Sequence, residues 1–463
     1  MGSLLPGLSG RHEHRMPTDA ETATVPETAM VLSALVLPTV LTGVVKRRPG
    51  AMQLANRLGT DRRAIELLFA LREYHGPGPI RLRLPGRSIV LVLDPGQVSD
   101  ILADTPEPFD PATTEKVAAL GHFQPHGVLI SDRSARGSRR EFHEAALQPG
   151  HELPESAQRF ASVIATECQW LEGLVLRTGE LGWNDFNEMW WRIVRRIVLG
   201  DAARDDRRFN VLLDELRNRA NWAYLAAPRR RTRSLLRDRL WQYCTDPEPG
   251  SLVERVSEIG QETGTDPVDQ IPHWLFAFDA AGMTVMRTLA LLAAHPAAAS
   301  AAAAEAVEMR DTHLSAPPFL NACVQDCLRL WPTTPLLLRE TREQTAGRTQ
   351  TLPEDTTFLI FTPFFHRDRE TIPFADQFSP QAWLDGRAER QPGIVPFSAG
   401  PAVCPGRDVV RFVMSTTLAC LLNRYDYELI DGPIPDRAST VPATIDHFRL
   451  RLRPRARETN PEP

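Results

Sequence analysis

Lysine is almost absent from this chain. Among its 53 Lys and Arg residues only Lys46 and Lys116 are lysine, a bias typical of a GC-rich, actinobacterial-like bacterial genome. Cysteine is sparse as well. Cys168, Cys244, Cys323, Cys327, Cys404 and Cys420 lie scattered over 463 residues, which excludes the disulfide framework of a small secreted domain and makes the cytoplasm the default compartment. Cys323 and Cys327 stand four apart with no histidine or second cysteine pair at zinc spacing, so packing is their expected role. There is no glycine-rich nucleotide fingerprint, no internal repeat and no strand–helix alternation of the doubly wound kind. Excess positive charge is missing too. A net charge of −5 argues against nucleic acid as a partner, and the basic run Arg229–Arg239 reads as a solvated helix face.

What remains is globular: 42% apolar and 24% charged residues, enough for a large core. Residues 1–28 read as a polar, disordered tail, 29–453 as one folded unit, and 454–463 as a second tail. The uncharged run Ala29–Val45 contains Pro38 and is followed by Lys46-Arg47-Arg48. It is expected to form a packed or membrane-interfacial helix, with a membrane anchor as the alternative. Polar residues precede it, which reads against a signal peptide. Alternating apolar residues around Pro85-Gly86 predict a β-hairpin. Residues 155–292 are mostly helical in pattern, and Ile271–Pro296 is apolar nearly all round, as a core helix should be. The fold class is therefore mainly α (α+β).

One loop carries chemistry. "VPFSAGPAVCPGRDVV", residues 395–410, places Cys404 among Gly400, Pro401, Pro405 and Gly406, just before an expected helix. A thiolate ligand for haem needs backbone N–H donors and a positive helix end at the sulfur, and tight turns around it. Phe397 could shield the sulfur. An inert loop cysteine is the alternative.

With these residues in view, the sequence resembles the cytochrome P450 haem-thiolate monooxygenases. Phe397, Gly400, Cys404 and Gly406 match the family's F-x-x-G-x-x-x-C-x-G loop, and segments from about Leu58 to Leu452 follow the family's order. The resemblance implies a large helical lobe and a small β lobe around a buried haem b, with Cys404 as the axial metal ligand. Asp326-Cys327-Leu328-Arg329 resembles the family's E-x-x-R helix, with Asp for Glu. Arg339 falls where the family places an arginine on a haem propionate. Within "RGSRREFHEAAL", Arg140 stands at the arginine position of the haem-contacting helix and Arg136 where histidine is common. Two positions depart from the pattern. Ala402 replaces a propionate-reaching arginine or histidine, and Ala382 in "FSPQAW" replaces a structural arginine. Arg136 and His122 are the candidates to compensate.

The family's oxygen-binding helix reads [AG]-G-x-[DE]-T-[ST], an acid followed by an alcohol that together relay protons. Two registers fit Ile271–Pro296. One uses Ala281-Gly282 and leaves Thr284 at the acid position. The other aligns Ala277-Phe278-Asp279-Ala280, keeping the acid and replacing the alcohol by alanine. The second is preferred, because a lone carboxylate in an apolar helix is too costly to be incidental. A salt bridge to a buried arginine is its alternative role.

The expected activity is insertion of one oxygen atom from O2 into a lipophilic, terpenoid- or polyketide-like molecule. Alternatives are a peroxygenase, dehydratase or ring-forming oxidase, or a haem-binding scaffold without turnover. Asp279 and Thr284 are the candidate proton-handling residues. Electrons would come from a ferredoxin with its reductase or from a flavoprotein, and the chain would act as a monomer. Segments 109–130, 221–227 and 274–278 are expected to line the substrate pocket.

Overall fold

The computed structural model describes residues 21–151, 155–311, 317–343, 345–346, 351–432, 434 and 440–457. Apolar side chains sort into a large helical core and a smaller one built on a sheet. The sheet has six strands in the order Glu21–Thr22, Ile80–Leu84, Arg87–Leu91, Thr356–Phe361, Leu336–Thr341 and Phe109–Asp110. The expected hairpin supplies its second and third strands: Ile80 pairs with Leu91 and Leu84 with Arg87 across Pro85-Gly86, where Gly86 takes φ +69°. A second sheet of three strands, Leu181–Gly182, Tyr425–Asp431 and Arg451–Ala456, closes the C-terminus.

Order begins earlier and ends later than expected. Residues 1–20 and 458–463 lie outside the described residues. Glu21–Thr22, however, pairs with Ile80 and Arg81, and Thr24 with Glu27 forms a capping box on the next helix. Residues 454–456, placed in a tail by the sequence, continue the final strand.

Pro38 does not break the apolar run. Helical turns continue from Val25 to Thr42 because a π-turn over Leu32–Val36 takes up the missing N–H. The Thr39 and Thr42 hydroxyls donate to the carbonyls of Leu35 and Pro38. This 18-residue stretch is long and apolar enough to cross a membrane, and only 28% of it is buried. The other helix of that kind, Pro267–Ala294, is 78% buried and is the core helix of the fold. It packs on Trp183–Leu199, Pro318–Leu330 and Arg407–Leu422.

Candidate haem-thiolate site

The cysteine loop is held by its own backbone. The Cys404 N–H donates to the Phe397 carbonyl at 3.0 Å and the Val403 N–H to that of Gly400 at 3.0 Å. Gly400 sits at φ +65°, and a Cβ there would lie 2.0 Å from the Leu102 carbonyl oxygen. Only glycine fits that position. Gly406 differs from expectation. Its φ is −92° and a Cβ would meet Leu147 at 3.4 Å, so its backbone tolerates a side chain. What it contributes is its N–H, which points at the Cys404 sulfur ahead of the helix Arg407–Leu422. Burial pushes the Cys404 thiol up, while that N–H and the nearby Arg140 and Arg407 pull it down. Phe397 is half-buried against the helical core.

Beside this loop lies a knot of positive charge. Arg339 is buried, donating to the Thr105 hydroxyl at 3.0 Å, the Leu338 carbonyl at 2.9 Å and the Ser398 hydroxyl at 3.1 Å. Arg136, also buried, donates to the Val128 carbonyl at 3.2 Å. Lys116, which the sequence reading passed over, donates to the Pro111 and Leu338 carbonyls at 2.9 and 3.0 Å. These acceptors are neutral. Burial, then repulsion from Arg136, lowers Arg339 to about 10, and burial with both arginines drives Lys116 well below its usual range. Of the carboxylates near Lys116 among the described residues, Asp110 is bonded to Arg342 at 2.8 Å and to the Ala112 N–H at 2.7 Å, and Glu115 is paired with Arg87. Three clustered cations without a carboxylate of their own fit a group that brings two, as haem does.

Arg140 lies at the edge of that cluster, near Arg136, and His122 stands apart from it. Arg140 spans the Val403 carbonyl at 2.7 Å and Glu144 at 2.6 Å, so it braces the cysteine loop. His122 bonds the Ala223 carbonyl at 3.3 Å. Ala402 is half-buried in the short 3₁₀ turn before the cysteine.

Asp326 and Arg329 are fully buried, not the surface pair that their spacing alone would suggest. Arg329 grips both Asp326 oxygens, at 2.6 and 3.2 Å, and donates to the carbonyls of His366, Ala375 and Gln377. The shorter acid is compensated locally. The Ser379 N–H reaches it at 2.6 Å and the Trp383 indole N–H at 3.0 Å. Asp326 therefore has a full set of donors without an arginine at position 382.

On the long helix, Asp279 pairs with Arg217 of the helix Arg207–Ala220. Arg217 is wholly buried and also donates to the Val45 carbonyl at 3.2 Å. Nothing local in the sequence marked it, since arginine crowds every helix around it. Gly282 packs on Trp190, where an added Cβ would sit 2.6 Å from the indole, and Trp190 donates to the Phe278 carbonyl at 2.7 Å. The opposite side is open. His273, Phe276, Ala277 and Ala280 are only partly buried and follow a single helical stripe. Thr284 is buried with its hydroxyl donating back to the Ala280 carbonyl at 3.0 Å.

The fold thus presents a braced cysteine loop beside a cluster of buried cations. Residues 277–446 match the family described as Cytochrome P450. Relatives include the probable cytochrome P450 4s3 of Drosophila melanogaster, 26% identical over 44% of this chain and 42% of its own length. The cytochrome P450 monooxygenase acrD of Aspergillus aculeatus is 33% identical over 26% of this chain and 25% of its own. The chain thus spans less than half the length of these curated relatives. Two solved structures extend the likeness. A crystal structure of a cytochrome P450 (CYP102L1) superposes with TM-score 0.70 at 17% identity, covering 95% of this chain and all of that one. The retinoic acid-bound cyanobacterial CYP120A1 gives 0.65 at 19% identity, covering 84% and 93%. The fold is the cytochrome P450 fold, and the sequence matches support that family.

Proposed function

We propose that the chain is a haem-thiolate monooxygenase that inserts one oxygen atom from O2 into a lipophilic, terpenoid- or polyketide-like small molecule. The observation carrying this reading is the conjunction at one place of the Cys404 loop and three cations bonded to neutral acceptors. Bound haem b would supply O2 activation, favoured by electron donation from a thiolate. The chain's own residues supply the rest. Cys404 offers the sulfur, steadied by the Gly406 N–H, and Arg136, Arg339 and Lys116 hold the acidic edge of the group. Asp279 can hold a proton at its carboxylate, with Arg217 fixing its position. Ala280 has no hydroxyl to add and that of Thr284 is turned onto its own helix. A hydroxyl on the substrate, oriented by binding, is then the natural second member of the relay.

A lipophilic substrate is supported by the open stripe of the long helix, where Phe276 meets Phe123 at 5.9 Å between ring centroids. Electrons would come from a separate ferredoxin or flavoprotein. The bacterial origin proposed here rests on the arginine-for-lysine bias. Contact with a membrane surface is supported by exposed Met30, Leu37 and Leu41. Exposed Trp222 and Leu225 adjoin them, because Asn221 bonds the backbone of Val45 and Lys46. Reduction of the purified protein under carbon monoxide should give a thiolate-type Soret shift, and Cys404→Ser should lose it. A protein that takes up no haem would overturn the reading.

A further inference from the structure

Far from the cysteine loop, two other thiols meet. Cys168 lies on the helix Ala157–Thr178 and Cys420 near the end of Arg407–Leu422, and these helices pack side by side. The two side chains approach each other closely enough to interact directly, in the wall of one cleft. Both line one open cleft together with Glu172, Asn423, Arg424 and Tyr427. Cys168 is 5% exposed, whereas Cys420 is partly open to the cleft. The remaining cysteines outside the Cys404 loop are different: Cys244, Cys323 and Cys327 are buried, and burial pushes Cys244 and Cys327 up to about 12.

We infer that Cys168 and Cys420 form a redox-active dithiol that hydrogen peroxide closes to a disulfide, joining the two helices. Cys420 is the attacking sulfur. It is the sulfur of the two that is open to the cleft, and Arg424 beside it in the cleft wall favours its thiolate. Cys420 sulfur attacks one peroxide oxygen. The O–O bond breaks, leaving a sulfenic acid and, with a proton, one water. Cys168 sulfur then attacks Cys420 sulfur, and the S–O bond breaks. The departing hydroxide takes the Cys168 proton as a second water. Two thiols lose two electrons and the peroxide is reduced to two waters. Tyr427, packed beside both sulfurs, and Tyr425 at the cleft rim are the other titratable groups there.

The test uses the full haem-loaded chain. It is exposed to graded hydrogen peroxide, alkylated with iodoacetamide in denaturant, digested and mapped by mass spectrometry. The expected product is a linked Cys168–Cys420 peptide pair lighter by two hydrogens. Cys168→Ser should instead leave a dimedone-trappable sulfenic acid on Cys420. Phenylarsine oxide, which bridges adjacent thiols without any oxidant, should cap both sulfurs of untreated wild-type protein with a single arsenic. Separate alkylation of both cysteines at every peroxide level would overturn the inference, as would oxidation of Cys420 to the sulfinic acid with Cys168 still free.

Discussion

Replacing Asp326 by asparagine tests the interior of the helical lobe most directly. The carboxylate receives four donors: two arms of Arg329, the Ser379 N–H and the Trp383 indole. Asparagine keeps the shape, but it has one accepting oxygen, and its NH2 must face donors. It also leaves the Arg329 guanidinium buried without a counter-charge. Removing one partner of a buried pair costs about 3–5 kcal/mol, a large share of the roughly 5–15 kcal/mol that holds an ordinary domain folded. Guanidinium denaturation of the haem-loaded protein should show the unfolding free energy falling by that amount, through a lower midpoint at unchanged slope. Trp383→Phe removes one hydrogen bond to the charge and should cost about 1.5–3 kcal/mol in wild type. It should cost clearly less in the Asp326→Asn background, since the two changes share one acceptor. An unchanged midpoint for Asp326→Asn, or strict additivity of the pair, would refute the reasoning.

Asp279→Asn should lower turnover per bound haem roughly ten- to a thousandfold, the range of a lost proton-transfer group, beyond the loss of stability from leaving the buried Arg217 without its carboxylate. Normal turnover in that variant together with failure of Thr284→Ala would show that the other register of the long helix is correct. Hydroxylated substrates should couple electron use to product tightly, and their deoxy analogues should leak peroxide, measured as peroxide formed per electron pair. Gly400→Ala should fail to hold haem even where the helices fold, because both its φ of +65° and the Leu102 carbonyl oppose a side chain; normal haem retention would refute that. For pH, His366 is held at about 3 by burial, Arg329 and Arg367, and its Nε2 accepts the Val395 N–H that opens the cysteine loop. Its folded pKa lies below its unfolded one, so its contribution is intact above about pH 6.5 and falls by about 1.4 kcal/mol per unit as pH drops toward 3. The protection factor at residues 395–404, the exchange rate corrected for the intrinsic rate at each pH, should fall over that window in wild type, and pH-independent protection would contradict the assignment.

Much of this was legible because it is local. A glycine-bracketed cysteine before a helix, a proline–glycine turn between alternating strands and a helix apolar all round are each decided by neighbours a few residues away. The structure bears out the hairpin and the core helix that these patterns predict. Pairings across the chain were not legible. Asp279 meets Arg217 across 62 positions, and in a chain with so many arginines no pattern singles out that one. Lys116 shows the converse. As one of only two lysines it was conspicuous, yet its role depends on Arg136 and Arg339 reaching the same spot from two other segments. The Ala382 departure carries the physical lesson. Read by position, a missing arginine means a weakened acid. In three dimensions the acid needs donors, not a particular residue, and an indole one place along the chain with a backbone N–H supplies them. Both Asp326 and Ala382 are fully buried in this site. Enlarging either, as Asp326→Glu or Ala382→Arg, should destabilise it, because added volume in a filled core costs about 1–3 kcal/mol.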